Sequence, residues 1–253
     1  LYVNDAFGAA HRGHASTEAV AGILPHVAGF LLEKEVTTLT KIMQQPAHPV
    51  VLIVGGAKMK TKIGVLEKFV DIADTILVGG GIANTMLSAK GFEVGGSLAE
   101  PDKEQTARDI IDAAQKKYCN LIIPEDVVVA KEADDPDSAR PANTGDIRKE
   151  EKIFDIGPRT IKKFCDKIAG AKTVIWNGPV GLFETEAFAE GTKALLEAVK
   201  HCEGETILGG GDTLDAIARY GYSSKDFTHV STGGGAMLEL LEGKELPAVS
   251  ALE

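Results

Sequence analysis

The 253 residues are 44% hydrophobic and 25% charged, and 27 Lys plus Arg against 37 Asp plus Glu give a net charge of −10. This composition excludes a mainly disordered chain and suffices for one large core or two modest ones. The acidic balance argues against a nucleic-acid partner, and no apolar run approaches the roughly 20 residues of a membrane helix, so no membrane partner is expected. Cys119, Cys165 and Cys202 are widely spaced, with no CxxC or Cys/His cluster. A disulfide framework or zinc site is therefore unsupported, and a reducing, cytoplasmic setting is expected.

The first residues, Leu1-Tyr2-Val3-Asn4-Asp5, read as a strand without an initiator Met or a secretory pattern, so an N-terminally truncated chain is expected. Residues 30–45 have a helical pattern. Candidate strands follow at 50–54, 75–78, 121–123, 127–130, 173–176 and 206–208. Several are continuous apolar runs, as in parallel strands covered on both faces. Between them, residues 106–118 and 186–199 carry apolar residues at i, i+3, i+4 and i+7, the helical spacing. The polar segment 131–146, with Pro136 and Pro141, reads as an exposed loop. This β-α alternation predicts an α/β fold with a doubly wound parallel sheet.

Glycines cluster where the predicted strands end: Gly55-Gly56, Gly79-Gly80-Gly81, Gly178 with Gly181, Gly209-Gly210-Gly211 and Gly233-Gly234-Gly235. In an open parallel sheet these ends share one edge, the edge where ligands bind. Two of the turns open predicted helices, whose free N–H groups suit phosphate. Lys58 and Lys62, four apart after the first turn, are placed on one helical face as phosphate partners. Asp212 is either an N-cap or a Mg²⁺ ligand shared with phosphate. Neither GxxxxGK followed by Ser or Thr nor GxGxxG occurs, which weakens a dehydrogenase reading.

Gly55-Gly56-Ala57-Lys58 with Lys62, Gly79-Gly80-Gly81-Ile82-Ala83-Asn84, Trp176-Asn177-Gly178-Pro179-Val180-Gly181-Leu182-Phe183-Glu184, Gly209-Gly210-Gly211-Asp212-Thr213 and Ser231-Thr232-Gly233-Gly234-Gly235-Ala236 together resemble phosphoglycerate kinase, in that family's order. Asn4 to Arg12 resembles the end of the family's N-terminal domain. The resemblance implies residues 1–29 as a remnant of a substrate-binding α/β domain and 30–46 as an inter-domain helix and hinge. It implies 47–230 as the nucleotide-binding domain, and 231–253 as a phosphate-turn helix with a tail returning toward the first domain.

It further implies reversible phosphoryl transfer between 1,3-bisphosphoglycerate and MgADP, with ADP or ATP and 3-phosphoglycerate as partners and Mg²⁺ as cofactor, in a monomer. Gly56, Gly80, Gly81, Pro179, Leu182 and Glu184 would surround adenine and ribose. Lys58, Lys62, Asn177, Gly210, Gly211, Asp212 and Thr213 would hold phosphates, with Asp212 on the metal. Lys58, Gly210, Gly233 and Gly234 would serve the transferring phosphoryl group. Arg12, Thr232, Gly233 and Gly234 would meet the other substrate.

Most of the family's basic substrate site is not matched here, so a nucleotide-binding module without catalysis is the competing expectation. Phe7, Ile23, Leu246 and Val249 are expected to be at least partly exposed for the same reason. No nucleophile is required, because phosphoryl transfer needs positioning and positive charge more than covalent chemistry.

Overall fold

Apolar runs of four or five residues, each closed by glycine, form the centre of the molecule. The computed structural model describes residues 1–253. In chain order the strands are β1 (Tyr2–Asn4), β2 (His26–Ala28), β3 (Val50–Val54), β4 (Thr75–Val78), β5 (Asn120–Ile122), β6 (Asp126–Ala130), β7 (Arg140–Asn143), β8 (Lys152–Ile156), β9 (Thr173–Asn177), β10 (Glu205–Gly209) and β11 (His229–Ser231). The helices are α1 (Phe30–Gln44), α2 (Ile63–Phe69), α3 (Gly80–Ala89), α4 (Glu104–Lys116), α5 (Pro158–Ala169), α6 (Glu190–Lys200), α7 (Gly211–Arg219), α8 (Gly235–Leu241) and α9 (Pro247–Ser250). No helix is long and apolar enough to cross a membrane.

Six strands form a parallel sheet in the order β11-β10-β9-β3-β4-β5. Every residue of β3, β4 and β9 is buried, as expected of strands covered on both faces. Side chains alternate between two cores. Val50, Leu52 and Val54 join the larger one with Phe69 and Met86, while Val51 and Ile53 join the other with Phe164 and Leu196. From β3 the chain winds outward to β4 and β5, and later from β9 to β10 and β11. The winding direction therefore reverses between β3 and β9, where ligands of doubly wound sheets bind.

Three expectations need correction. Residues 127–130 are not in the parallel sheet: β6 is the middle of a separate antiparallel sheet, β7-β6-β8, with its own small core of Val127, Val129, Ala142 and Ile147. Residues 131–146 are not wholly an exposed loop, because β7 lies within them. Its Pro141 is tolerated on an edge strand, and Arg140 anchors it by two hydrogen bonds to Glu151, at 2.8 and 2.7 Å. Finally, Phe7 and Leu246 are buried. The C-terminal segment returns to the N-terminal one, where the Ala248 N–H donates to the Ala10 carbonyl at 3.1 Å, and the two cover each other. Val249 is half-buried and Ile23 is exposed, as expected.

Helix α1 joins the two ends of the chain. The Leu32 N–H in its first turn donates to the Asp5 carboxylate at 2.9 Å. Farther along, Glu35 is fully buried, 2.7 Å from His229 Nε2 on β11, and accepts the Thr232 N–H at 2.9 Å. Burial alone would raise the Glu35 carboxyl, but the bonds from His229 and Thr232 hold it below its usual range.

Candidate functional site

At the reversal point the turns after β3 and β9 touch through their backbones. The Gly55 N–H donates to the Asn177 carbonyl at 3.1 Å, and the Gly56 N–H to the Pro179 carbonyl at 2.8 Å. A Cβ on Gly55 would lie 2.6 Å from the Gly178 carbonyl oxygen, so side chains are excluded there. Gly56, Gly178 and Gly210 all take positive φ, which the missing Cβ permits. The glycine turns after β3, β4, β9, β10 and β11 are thus gathered on one edge, as the sequence predicts.

Two confluent clefts open along this edge. One, of 380 Å³, is bordered by Gly56, Lys58, Lys62, Asn177, Gly210, Gly211, Asp212 and Gly234. The other, of 520 Å³, is bordered by Gly80, Gly81, Pro179, Leu182 and Glu184, with Leu98, Ile153 and Phe154. Gly56, Ala57 and Asp212 border both. One end is therefore glycine backbone and charge, and the other is largely apolar wall.

Lys58 and Lys62 both reach the polar end, but not from one helical face as expected. Lys58 is extended, residues 59–61 form a single 3₁₀ turn, and α2 starts only after Lys62. Lys62 donates to the Asn177 side-chain oxygen. Burial lowers its ammonium to about 8, against the charges of Asp212 and Glu242. Asp212 is exposed in the first turn of α7 and makes no capping hydrogen bond; Gly210 occupies the N-cap position. The simple N-cap reading of Asp212 is therefore not what the structure has.

Thr213 and Gly233 do not border either cleft. Thr213 is buried and its hydroxyl accepts the Gly178 N–H at 2.8 Å, so it braces the turn after β9. Gly233 is buried against the Phe7 ring, which its missing Cβ would strike. The Thr232 hydroxyl donates to Glu35 at 3.2 Å. Arg12 is exposed and its Nε donates to His11 Nε2 at 3.3 Å; that same nitrogen lies 3.1 Å from where a Cβ of Gly235 would stand. The N-terminal segment thus comes to the rim of the polar cleft, though Arg12 is not inside it.

The sequence reading missed Leu98 and Ala99 before α4, and Ile153 and Phe154 on β8, which form the apolar wall. Ile153 and Phe154 form an apolar pair between Lys152 and Asp155, and Leu98 and Ala99 stand between Ser97 and Glu100, so neither segment carries a strand or helix pattern.

A family model described as "Phosphoglycerate kinase" matches residues 1–244. The phosphoglycerate kinase of Roseiflexus castenholzii is 50% identical over 252 residues, and that of Moorella thermoacetica 49% over 254; each alignment covers all of this chain and 64% of the relative. The chain thus spans about 64% of the length of these curated relatives. Among solved structures, phosphoglycerate kinase from Coxiella burnetii superposes with a TM-score of 0.94 at 44% identity, covering 99% of this chain and 64% of that one. The enzyme from Pyrococcus horikoshii OT3 gives 0.86 at 33% identity, covering 99% and 63%. The chain belongs to the phosphoglycerate kinase family.

Proposed function

We propose that the two clefts hold one magnesium nucleotide, and that the chain supplies this half of reversible phosphoryl transfer between 1,3-bisphosphoglycerate and MgADP, giving 3-phosphoglycerate and MgATP. The observation that carries this reading is the continuity of an apolar cleft with a cation-bearing glycine cleft at the sheet's reversal point. Residues 47–230 would act as the nucleotide-binding domain, with 1–29 the end of the substrate domain, 30–46 the connection, and 231–253 returning toward the first. The reading carries with it a monomeric, cytoplasmic glycolytic enzyme.

Adenine fits against Gly80, Gly81, Pro179, Leu182, Leu98 and Phe154, and the exposed Glu184 carboxylate can accept ribose hydroxyls. The phosphates meet Lys58, Lys62, the Asn177 amide and the free N–H groups that open α7. Phosphate in the cleft favours the charged form of Lys62 and offsets the burial that depresses it. Asp212 fits a magnesium ion in donor type and place: a hard, exposed carboxylate beside the proposed phosphates, free of any cap. No group of three or more His, Cys, Asp and Glu is gathered here, so the metal would be shared with substrate phosphates, as Mg²⁺ prefers. When bound it would neutralise phosphate charge.

Transfer itself forms a bond from a terminal ADP oxygen to the acyl phosphorus and breaks that phosphorus–carboxylate oxygen bond. Lys58 and the turns at Gly210 and Gly234 would stabilise the equatorial oxygens, and no protein atom becomes bonded.

A second reading, a nucleotide-binding module without catalysis when these residues act alone, is favoured by charge. Arg12 is the one Arg or Lys among residues 1–29. A coupled assay of 3-phosphoglycerate-dependent ATP consumption, run on the chain with and without a separately produced substrate domain, separates the two. Activity only with the added domain supports the division of labour; full activity from the chain alone contradicts it. No calorimetric binding of MgADP would remove both readings.

A further inference from the structure

Asp155 sits on β8 between Phe154, which borders the apolar cleft, and the buried Ile156. It is 1% exposed. Its two oxygens accept the Gly191 N–H at 2.7 Å and the Ile156 N–H at 2.9 Å. The charged group acting on it is Glu190, of like sign. Burial, reinforced by Glu190, pushes its carboxyl up to about 7 despite the two N–H donors. A lone buried carboxylate is costly, and an apolar or amide side chain would serve stability better.

Its neighbours show what it holds. A Cβ on either Gly181 or Gly191 would collide with the Asp155 carboxylate, so the group is seated between those two backbones. Gly181 lies on the wall of the apolar cleft, while Gly191 is in the first turn of α6. The same stretch of β8 is tied to the loop again, since the Leu182 N–H donates to the Phe154 carbonyl at 2.7 Å. The Phe154 ring stacks on Phe188, just before α6, with centroids 4.7 Å apart. The polar end is held independently, by the backbone contacts between the turns after β3 and β9.

We propose that Asp155 is a positioning residue for the base and ribose of the nucleotide: seated between Gly181 and Gly191, it fixes residues 181–184 against β8 so that Leu182, Glu184 and Phe154 face one ligand. The inference rests on the nucleotide reading of the cleft. Asp155 touches no substrate atom and acts through the loop and α6.

The test is calorimetric titration of the chain with MgADP, adenosine and magnesium tripolyphosphate. Asp155→Ala weakens adenosine and MgADP about tenfold and leaves tripolyphosphate within about twofold. Gly191→Ala, which displaces the carboxylate from outside the cleft, reproduces that selective loss. Asp155→Asn, which keeps an acceptor for the Gly191 N–H, restores adenosine affinity to within about threefold of the parent. A merely structural role would weaken all three probes together and lower the melting temperature in proportion, and that result overturns the proposal. So does unchanged adenosine affinity in both alanine variants. If Asp155→Ala does not fold, Gly191→Ala and Asp155→Asn decide alone: parental adenosine affinity in Gly191→Ala contradicts the proposal, and a selective loss there with recovery in Asp155→Asn supports it. A parent chain that binds none of the three probes overturns the nucleotide reading itself, and the inference with it.

Discussion

The two ends of the cleft are built by different means. At the polar end the backbone does most of the work. Glycine turns from three adjacent strands meet so closely that no Cβ fits at Gly55, and Lys58, Thr61, Lys62, Asn177 and Asp212 bring the polar side chains to the space. At the apolar end side chains do the work, brought from three places far apart in sequence: Leu98 before α4, Phe154 on β8 and Leu182 after β9. On the proposed reading the first end would meet the charge that every nucleoside phosphate carries, and the second a flat apolar body. A ligand that fills both must have both features, and each end should be removable without the other.

The largest separation is expected from Lys62→Ala. Charge-assisted hydrogen bonds contribute about 1.5–3 kcal/mol, so MgATP should bind roughly ten- to hundredfold more weakly while adenosine is unchanged. Equal losses for both ligands, measured by calorimetry, would break the division. Leu182→Ala should act at the opposite end. Removing one apolar wall residue costs about 1–2 kcal/mol, and adenosine and MgATP should lose it equally, with tripolyphosphate untouched.

A pH titration sharpens the comparison without mutation. Burial lowers the Lys62 ammonium to about 8, and on the proposed reading phosphate would bind its charged form. Between pH 7 and 9 MgATP affinity should therefore fall by about tenfold, as a proton must be taken up on binding, whereas adenosine affinity stays flat. Lys62→Ala should abolish the slope; a slope that persists in that variant assigns it elsewhere. For stability the sign is opposite. Because the folded value lies below that of the free side chain, the unfolded chain binds more protons between about 8 and 10.5, and this lysine's contribution makes the fold more stable as pH rises through that window.

The smallest effect is expected from Asp212→Asn. The side chain makes no capping bond, so the melting temperature should hold, while the gain in ATP affinity on adding Mg²⁺ should shrink several-fold. An unchanged Mg²⁺ dependence would remove Asp212 from the metal.

The same contrast explains what the sequence made legible. Buried parallel strands announce themselves as apolar runs, and turns that need positive φ or close backbone approach announce themselves as glycine. Five of the six candidate strands, the edge they share and most of the polar end could therefore be read directly. Lys58 and Lys62 border one cleft but do not share a helical face, since four-residue spacing cannot distinguish an α-helix from an extended residue followed by a 3₁₀ turn. The small antiparallel sheet was hidden because its strands carry Arg140, Pro141, Lys152 and Asp155, whose partners, Glu151 and Glu132 among them, appear only on folding. The apolar wall was hidden with it: Leu98 is 58% exposed and has no periodic neighbours to mark it. The burial of Phe7 and Leu246 depends on two chain ends meeting, which no local pattern encodes.

The most direct test of a single nucleotide spanning both ends is calorimetric titration of the intact chain with MgADP, adenosine and magnesium tripolyphosphate at pH 7, with Trp176, the one tryptophan, as a fluorescence reporter through its 2.7 Å bond to the Gly178 carbonyl. One saturable site for MgADP is expected, with adenosine and tripolyphosphate each binding more weakly and each displaced by MgADP. Independent, simultaneous binding of adenosine and MgADP, or no saturable MgADP site at all, would contradict it.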